Sequence, residues 1–154
     1  MVRKLLSSFA AQLILVLLGL AIVSACSLDT NTKTHVAANL AGTHWNLKTL
    51  DGTTVASSER PLSISFDENR INGYAGCNSF FGNYTASGDG VFSSGSVGTT
   101  KMACLGERDQ LEQHYLEQLA QAKQYVISRD QLHLLDAQRK ILLVFSAAPS
   151  AQGK

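Results

Sequence analysis

The chain has little charge. Asp, Glu, Lys and Arg make up 16% of its 154 residues, and 13 basic residues against 12 acidic ones leave a formal net charge of +1. That balance offers nothing to a polyanion, and no Lys/Arg cluster forms a stripe for nucleic-acid phosphates to follow, so no nucleic-acid partner is expected. Histidine is sparse too. His35, His44, His114 and His133 stand apart, and none joins a second His, a Cys or a carboxylate at metal-ligand spacing. No metal and no cofactor is therefore expected. The G-x-S-x-G nucleophile elbow is missing, because Gly95-Ser96-Val97-Gly98 fails the spacing. Gly98-Thr99-Thr100-Lys101 lacks the G-x-x-x-x-G-K-[ST] frame of a phosphate loop, and no G-x-G-x-x-G opens a helix after a strand. Cysteine is limited to Cys26, Cys77 and Cys104. A thiol nucleophile at Cys77 would need a depressed pKa and a base within hydrogen-bond reach, and the sequence displays neither. These absences exclude the familiar catalytic classes, and the expectation is a protein that is not an enzyme.

What is present begins near the amino terminus. Arg3 and Lys4 precede an apolar run from Leu13 to Val23, followed by Val23-Ser24-Ala25-Cys26. Basic residues, an apolar stretch and small residues in that order read as a secretion signal over residues 1–25. The run is too short for a comfortable membrane span, which takes roughly 20 apolar residues. Val23-Ser24-Ala25-Cys26 resembles the bacterial lipobox, whose cysteine is acylated. Each buried CH₂ of such a chain contributes about 0.8 kcal/mol, so two or more chains anchor stably. A plain signal peptide cut after Ala25 is the alternative. Ser27 stands where an inner-membrane retention signal would place Asp, so the expected location is the outer membrane, lipid-anchored through Cys26 and facing the periplasm.

Residues 26–41 are polar and small, a composition that reads as a flexible tether. Residues 42–148 have the size of one domain, and 149–154 form a loose tail. With Cys26 acylated, Cys77 and Cys104 remain as an even pair in an oxidising compartment, where a disulfide persists. Two separate buried thiols are the other reading.

Strand patterns dominate the domain. Trp45 and Leu47 alternate with polar neighbours ahead of the turn dipeptide Asp51-Gly52. Leu62, Ile64 and Phe66 alternate with serines, and Ile71 opens a return strand after Asp67–Arg70. Gly73, Gly76 and Gly82 punctuate the next stretch, as bulges and tight bends require. Gly88-Asp89-Gly90 marks a turn before Val91-Phe92. A helix is predicted over about Glu107 to Ala122, with Leu111, Tyr115, Leu119 and Ala122 on one stripe and acidic residues near its start. Tyr125–Ile127, Leu132–Leu134 and Ile141–Phe145 then read as strands. Strands on both sides of one helix give an α+β domain: a strongly curved, partly closed antiparallel sheet packed on one main helix.

Gly73-Tyr74-Ala75-Gly76-Cys77-Asn78 with Phe81-Gly82-Asn83-Tyr84 resembles the G-x-x-G-C-N…G-x-Y signature of the META domain family. Thr99-Thr100-Lys101-Met102-Ala103-Cys104 is similar to its T-x-M-A-C element. Trp45-Asn46-Leu47 resembles its opening W-x-L, and Glu112, Tyr115 and Leu119 fall at its acidic, aromatic and leucine helix positions. The resemblance covers about Gly42 to Phe145. It implies an α+β fold, a heat-shock or stress-linked role in the cell envelope and no catalytic residues. It also implies structural roles for Cys77 and Cys104, without fixing their bonding.

Two expectations concern partners. Phe80 and Phe81 point to opposite sides of a strand, so one is core and the other an exposed partner contact, unless both sides are covered. An envelope protein partner and the membrane are the partners in view. A second reading, an inhibitor of a periplasmic protease or lysozyme, would use the Gly88–Gly98 region as an inserted loop.

Overall fold

A two-residue turn frames the sheet. In the computed structural model, β1 (Thr43–Leu50) reverses at Asp51-Gly52 into the short β2 (Thr53–Thr54), with Leu50 opposite Thr53. Asp51 and Gly52 take φ of +46° and +80°, the left-handed backbone that a two-residue hairpin demands and that Asp and Gly tolerate. The structure describes residues 39–104 and 106–149. The expected signal segment, Cys26, the tether as far as residue 38 and the tail from residue 150 lie outside the described residues.

The serine-spaced apolar residues face inward as their period requires. In β3 (Ser63–Phe66) Ile64 and Phe66 are buried, and in β4 (Arg70–Tyr74) Ile71 is. Trp45 and Leu47 of β1 alternate in the same way, but Leu50 is buried three residues further on. A register shift between Leu47 and Thr49 against the last strand absorbs the extra residue. β5 (Ser79–Ala86) and β6 (Phe92–Thr99) form the next hairpin, and a second shift falls between Gly82 and Tyr84. A Cβ on Gly82 would meet the Ser96 carbonyl oxygen at 2.9 Å, so this crossing point needs glycine.

After α1 (Glu107–Gln121) the chain returns as β7 (Gln124–Ser128), β8 (Gln131–Leu135) and β9 (Ile141–Ala147). The antiparallel sheet runs β6-β5-β4-β3-β1-β9-β8-β7, with β2 beside the end of β1. Its two ends meet at one corner. Val91 bridges Gln124, the Phe92 N–H donates to the Lys123 carbonyl at 2.8 Å, and the Tyr125 N–H donates to that of Gly90 at 2.8 Å. The result is the expected strongly curved, partly closed α+β sheet around one helix, among the described residues.

The helix stripe is the inner wall of this half-barrel. Tyr115, Leu119 and Ala122 are fully buried, and the Tyr115 ring lies 5.6 Å from Phe80 and 6.4 Å from Phe145 between centroids. Burying side chains such as Tyr115 and Leu119 contributes about 1.5–3 kcal/mol each. Burial also pushes the Tyr115 hydroxyl pKa up, so the phenol stays neutral. At the other end Phe66 packs edge-on against Tyr84 at 5.0 Å and Phe92 at 6.3 Å.

The packed region begins earlier than Gly42. Leu40 is 1% exposed, and its carbonyl accepts from both the N–H and the hydroxyl of Thr43. The Gly42 N–H donates to the Phe66 carbonyl at 2.7 Å. A lone leucine in a polar stretch has no periodicity to reveal it.

Candidate functional site

The glycine- and cysteine-bearing motif folds into a tight turn between β4 and β5. The Ala75 N–H donates to the Asn78 carbonyl at 2.9 Å, and Gly76 takes φ +108°, a backbone that side chains resist. Ala75, Gly76, Cys77 and Asn78 are all buried. The segment Thr100–Cys104 runs alongside without regular structure and leads into α1. Cys77 and Cys104 are joined by a disulfide with Cα atoms 6.1 Å apart, 27 residues apart in sequence. The chain-entropy model assigns a loop of this size roughly 3 kcal/mol.

Asn78 is the hub of this turn. Its side-chain oxygen accepts from the Thr100 hydroxyl and from the Met102 N–H, each at 2.8 Å. Its amide nitrogen donates to Glu112 Oε1 at 3.3 Å and to the Met102 carbonyl at 3.4 Å. Its backbone N–H donates to Glu112 Oε2 at 2.6 Å. Glu112 is 8% exposed. A buried carboxylate is costly unless hydrogen-bonded, and here both oxygens accept from Asn78. The family resemblance marks Glu112 as an acidic helix position, and its place three residues before Tyr115 puts an acid on the buried stripe. Its partner Asn78, 34 residues away, carries no local signal.

The other motif residues divide. Met102 uses its backbone in the cluster, while its side chain is 64% exposed; Ala103 is exposed beside it. Thr99 pairs with Phe80 in the sheet. Gly73 has no room for a Cβ, which would fall 2.1 Å from the Ser63 carbonyl oxygen. Gly82 and Tyr84 lie further along β5, where the Tyr84 hydroxyl donates to the Asp67 carbonyl at 2.9 Å. Phe80 is 1% exposed and part of the core, so it leaves the contact surface; Phe81 is 50% exposed.

Among the described residues, the histidines stay apart. His44 Nδ1 lies 2.8 Å from Ser65 Oγ, and His133 Nε2 lies 3.3 Å from Gln131 Oε1. His114 lines a cleft of about 320 Å³ with Leu50 and Leu111. Among the described residues, no group of three His, Cys, Asp or Glu side chains is placed to hold a metal ion.

A larger cleft of about 450 Å³ opens next to the cysteine turn, lined by Val55, Leu62, Tyr74, Gly76, Arg108 and Leu111 among others. The Arg60 guanidinium stands over the Tyr74 ring, 3.8 Å from its centroid, and donates to Ser79 Oγ at 3.1 Å. The cleft walls are mostly apolar and carry charges of both signs, Arg60 and Arg108 with Glu59, which suits non-covalent binding.

The family model of the META domain matches residues 38–149. The chain belongs to the META domain family. The matched range begins just ahead of the buried Leu40 and ends just past β9. Among solved structures, the chain is similar to a protein from Burkholderia xenovorans determined by NMR, at 26% identity and TM-score 0.57, over 71% of this chain and 83% of that one. A second protein determined by NMR matches at 28% identity and TM-score 0.56, over 70% of this chain and 90% of that one. No curated protein matched the chain. In this META domain the disulfide, Asn78 and Glu112 together tie the start of α1 to the β4–β5 turn.

Proposed function

We propose that this META-domain protein is a non-enzymatic lipoprotein of the outer membrane, anchored through acylated Cys26, that acts by binding in the envelope under heat or related stress. One observation carries the reading most: among the motif side chains, Cys77 and Cys104 are bonded to each other, and Asn78 is bonded to the Met102 segment and to Glu112. Groups held this way support a rigid domain and leave function to its surfaces. The disulfide agrees with an oxidising compartment, and Val23-Ser24-Ala25-Cys26 supplies the anchor. A tether of residues 26–38 would keep the domain near the membrane and raise its effective concentration toward any partner there.

In the inhibitor reading, the part of Gly88–Gly98 that could insert is the tip of the β5–β6 hairpin. Residues 87–90 form a tight turn closed by the Gly90 N–H donating to the Ser87 carbonyl at 2.9 Å, and Phe92–Thr99 is strand β6 paired to β5.

The test is complementation in the native host. Deletion is expected to lower survival after heat or detergent challenge, with rescue by the wild type and not by Cys26→Ala. Full rescue by an unlipidated chain retained in the cytoplasm would overturn the proposal.

A further inference from the structure

We infer that the outer face of β3, β4 and β5 binds a carbohydrate chain bearing an acidic group. The sheet register builds this face. Ser65 stands opposite Asn72, and Asn72 opposite Phe81. In the next row Ser63 stands opposite Tyr74, and Tyr74 opposite Ser79. All six point away from the buried residues Ile64, Phe66, Ile71 and Phe80. A shallow depression of about 390 Å³ lies among them. Its lining joins serine hydroxyls and the Asn72 amide to the rings of Tyr74 and Phe81, with Arg60 beside Tyr74 and Ser79.

Each part fits one feature of a sugar chain. A pyranose ring has a face of C–H bonds that packs on an aromatic ring, and Phe81 offers such a ring half-exposed. A Cβ at Gly98 would lie 3.1 Å from two Phe81 ring atoms, so glycine on β6 lets the ring rest against the strand. Sugar hydroxyls both donate and accept, as do the serine hydroxyls and the Asn72 amide. Arg60 sets the charge. Its guanidinium is positioned by the Tyr74 ring and Ser79, and among the described residues no carboxylate lies within ion-pair distance of it. A planar guanidinium held this way complements a carboxylate or phosphate. The opposite end carries Asp67, whose Oδ2 accepts from the Asn72 amide at 3.3 Å. The acidic group therefore binds at the Arg60 end. The face is too polar for the apolar centre of a protein interface, and a lone arginine opposed by Asp67 is poor footing for a nucleic acid.

This inference rests on the reading that the domain acts by binding, but not on the anchor. Its test uses the full chain in detergent on an array of carboxylated, phosphorylated and neutral oligosaccharides, followed by titration of the strongest ligand. The expected result is preference for an acidic oligosaccharide over its neutral counterpart, with backbone NMR shifts at Tyr74, Ser79 and Phe81. Phe81→Ala should weaken binding by about tenfold or more, and Arg60→Ala should abolish the preference for the acidic ligand. Both side chains are exposed, so unchanged melting of each variant separates lost binding from lost folding. A silent array, equal binding of a simple polyanion such as polyphosphate, or affinity unchanged in the double variant would overturn the inference. The Cys26→Ala chain should bind the same ligand, so failure of anchoring and failure of glycan binding are read separately.

Discussion

The backbone N–H of Asn78 donates to Glu112 Oε2 at 2.6 Å, joining the turn before β5 to the second turn of α1 across 34 residues. The Asn78 amide reaches the other carboxylate oxygen at 3.3 Å. Glu112→Ala leaves a buried N–H and a buried amide short of acceptors, and should cost about 2–3 kcal/mol in urea unfolding. Glu112→Gln keeps one acceptor but turns a donor toward Asn78, and should cost an intermediate amount. Combining Glu112→Ala with Asn78→Ala should cost clearly less than the sum of the single changes, because the two side chains share one network. Additive losses would contradict that network.

Phe80 and Phe81 are neighbours with opposite fates. Phe80→Ala removes a ring packed against Tyr115 and should destabilise the domain by about 3–5 kcal/mol. Phe81→Ala removes a half-exposed ring and should change stability by at most about 0.5 kcal/mol. Paired urea denaturation curves check both.

Gly73 and Gly88 make a similar contrast. A Cβ at Gly73 would fall 2.1 Å from the Ser63 carbonyl oxygen and 2.6 Å from the Phe80 ring. Gly73→Ala must therefore push β4 from β3 or displace the ring, and should cost roughly 3 kcal/mol or more, at the upper end of overpacking. Nothing lies within 4 Å of a Cβ at Gly88, so Gly88→Ala should melt close to the wild type.

The hairpin turn of β1 carries a pH signature. Lys140 Nζ lies 2.7 Å from Asp51 Oδ1. The hydrogen bond from Lys140, and then its charge, hold the Asp51 carboxyl below the usual range, while the same contact raises the Lys140 amine. A depressed carboxyl stabilises the fold above its unfolded pKa of about 3.9 and loses that contribution as pH falls through the folded value. The stability gap between the wild type and Asp51→Asn should therefore stay level across neutral pH, close in acid as the carboxyl takes up its proton, and close again in alkali as Lys140 loses its own. The gap should be small and should shrink with added salt, because the pair is solvent-exposed.

Much of the sheet was legible because its signals are local. Ile64 and Phe66 show their inward face by alternation, and Asp51-Gly52 by its tolerance of positive φ. The helix stripe through Tyr115 and Leu119 was legible for the same reason. What stayed hidden depends on partners distant in sequence. Glu112 looks like any acid near a helix start until Asn78 is folded onto it. Leu40 looks like part of a polar linker until it is buried at the edge of the domain. Arg60 sits in an irregular stretch, and its place over Tyr74 comes from the path of residues 55–62 between β2 and β3.

The most direct test of the account is the intact mass of the protein extracted from membranes with an alkylating agent and no reductant. The account predicts a chain beginning at acylated Cys26, with Cys77 and Cys104 unalkylated because they are bonded to each other. A soluble, unacylated chain with both thiols alkylated would contradict it.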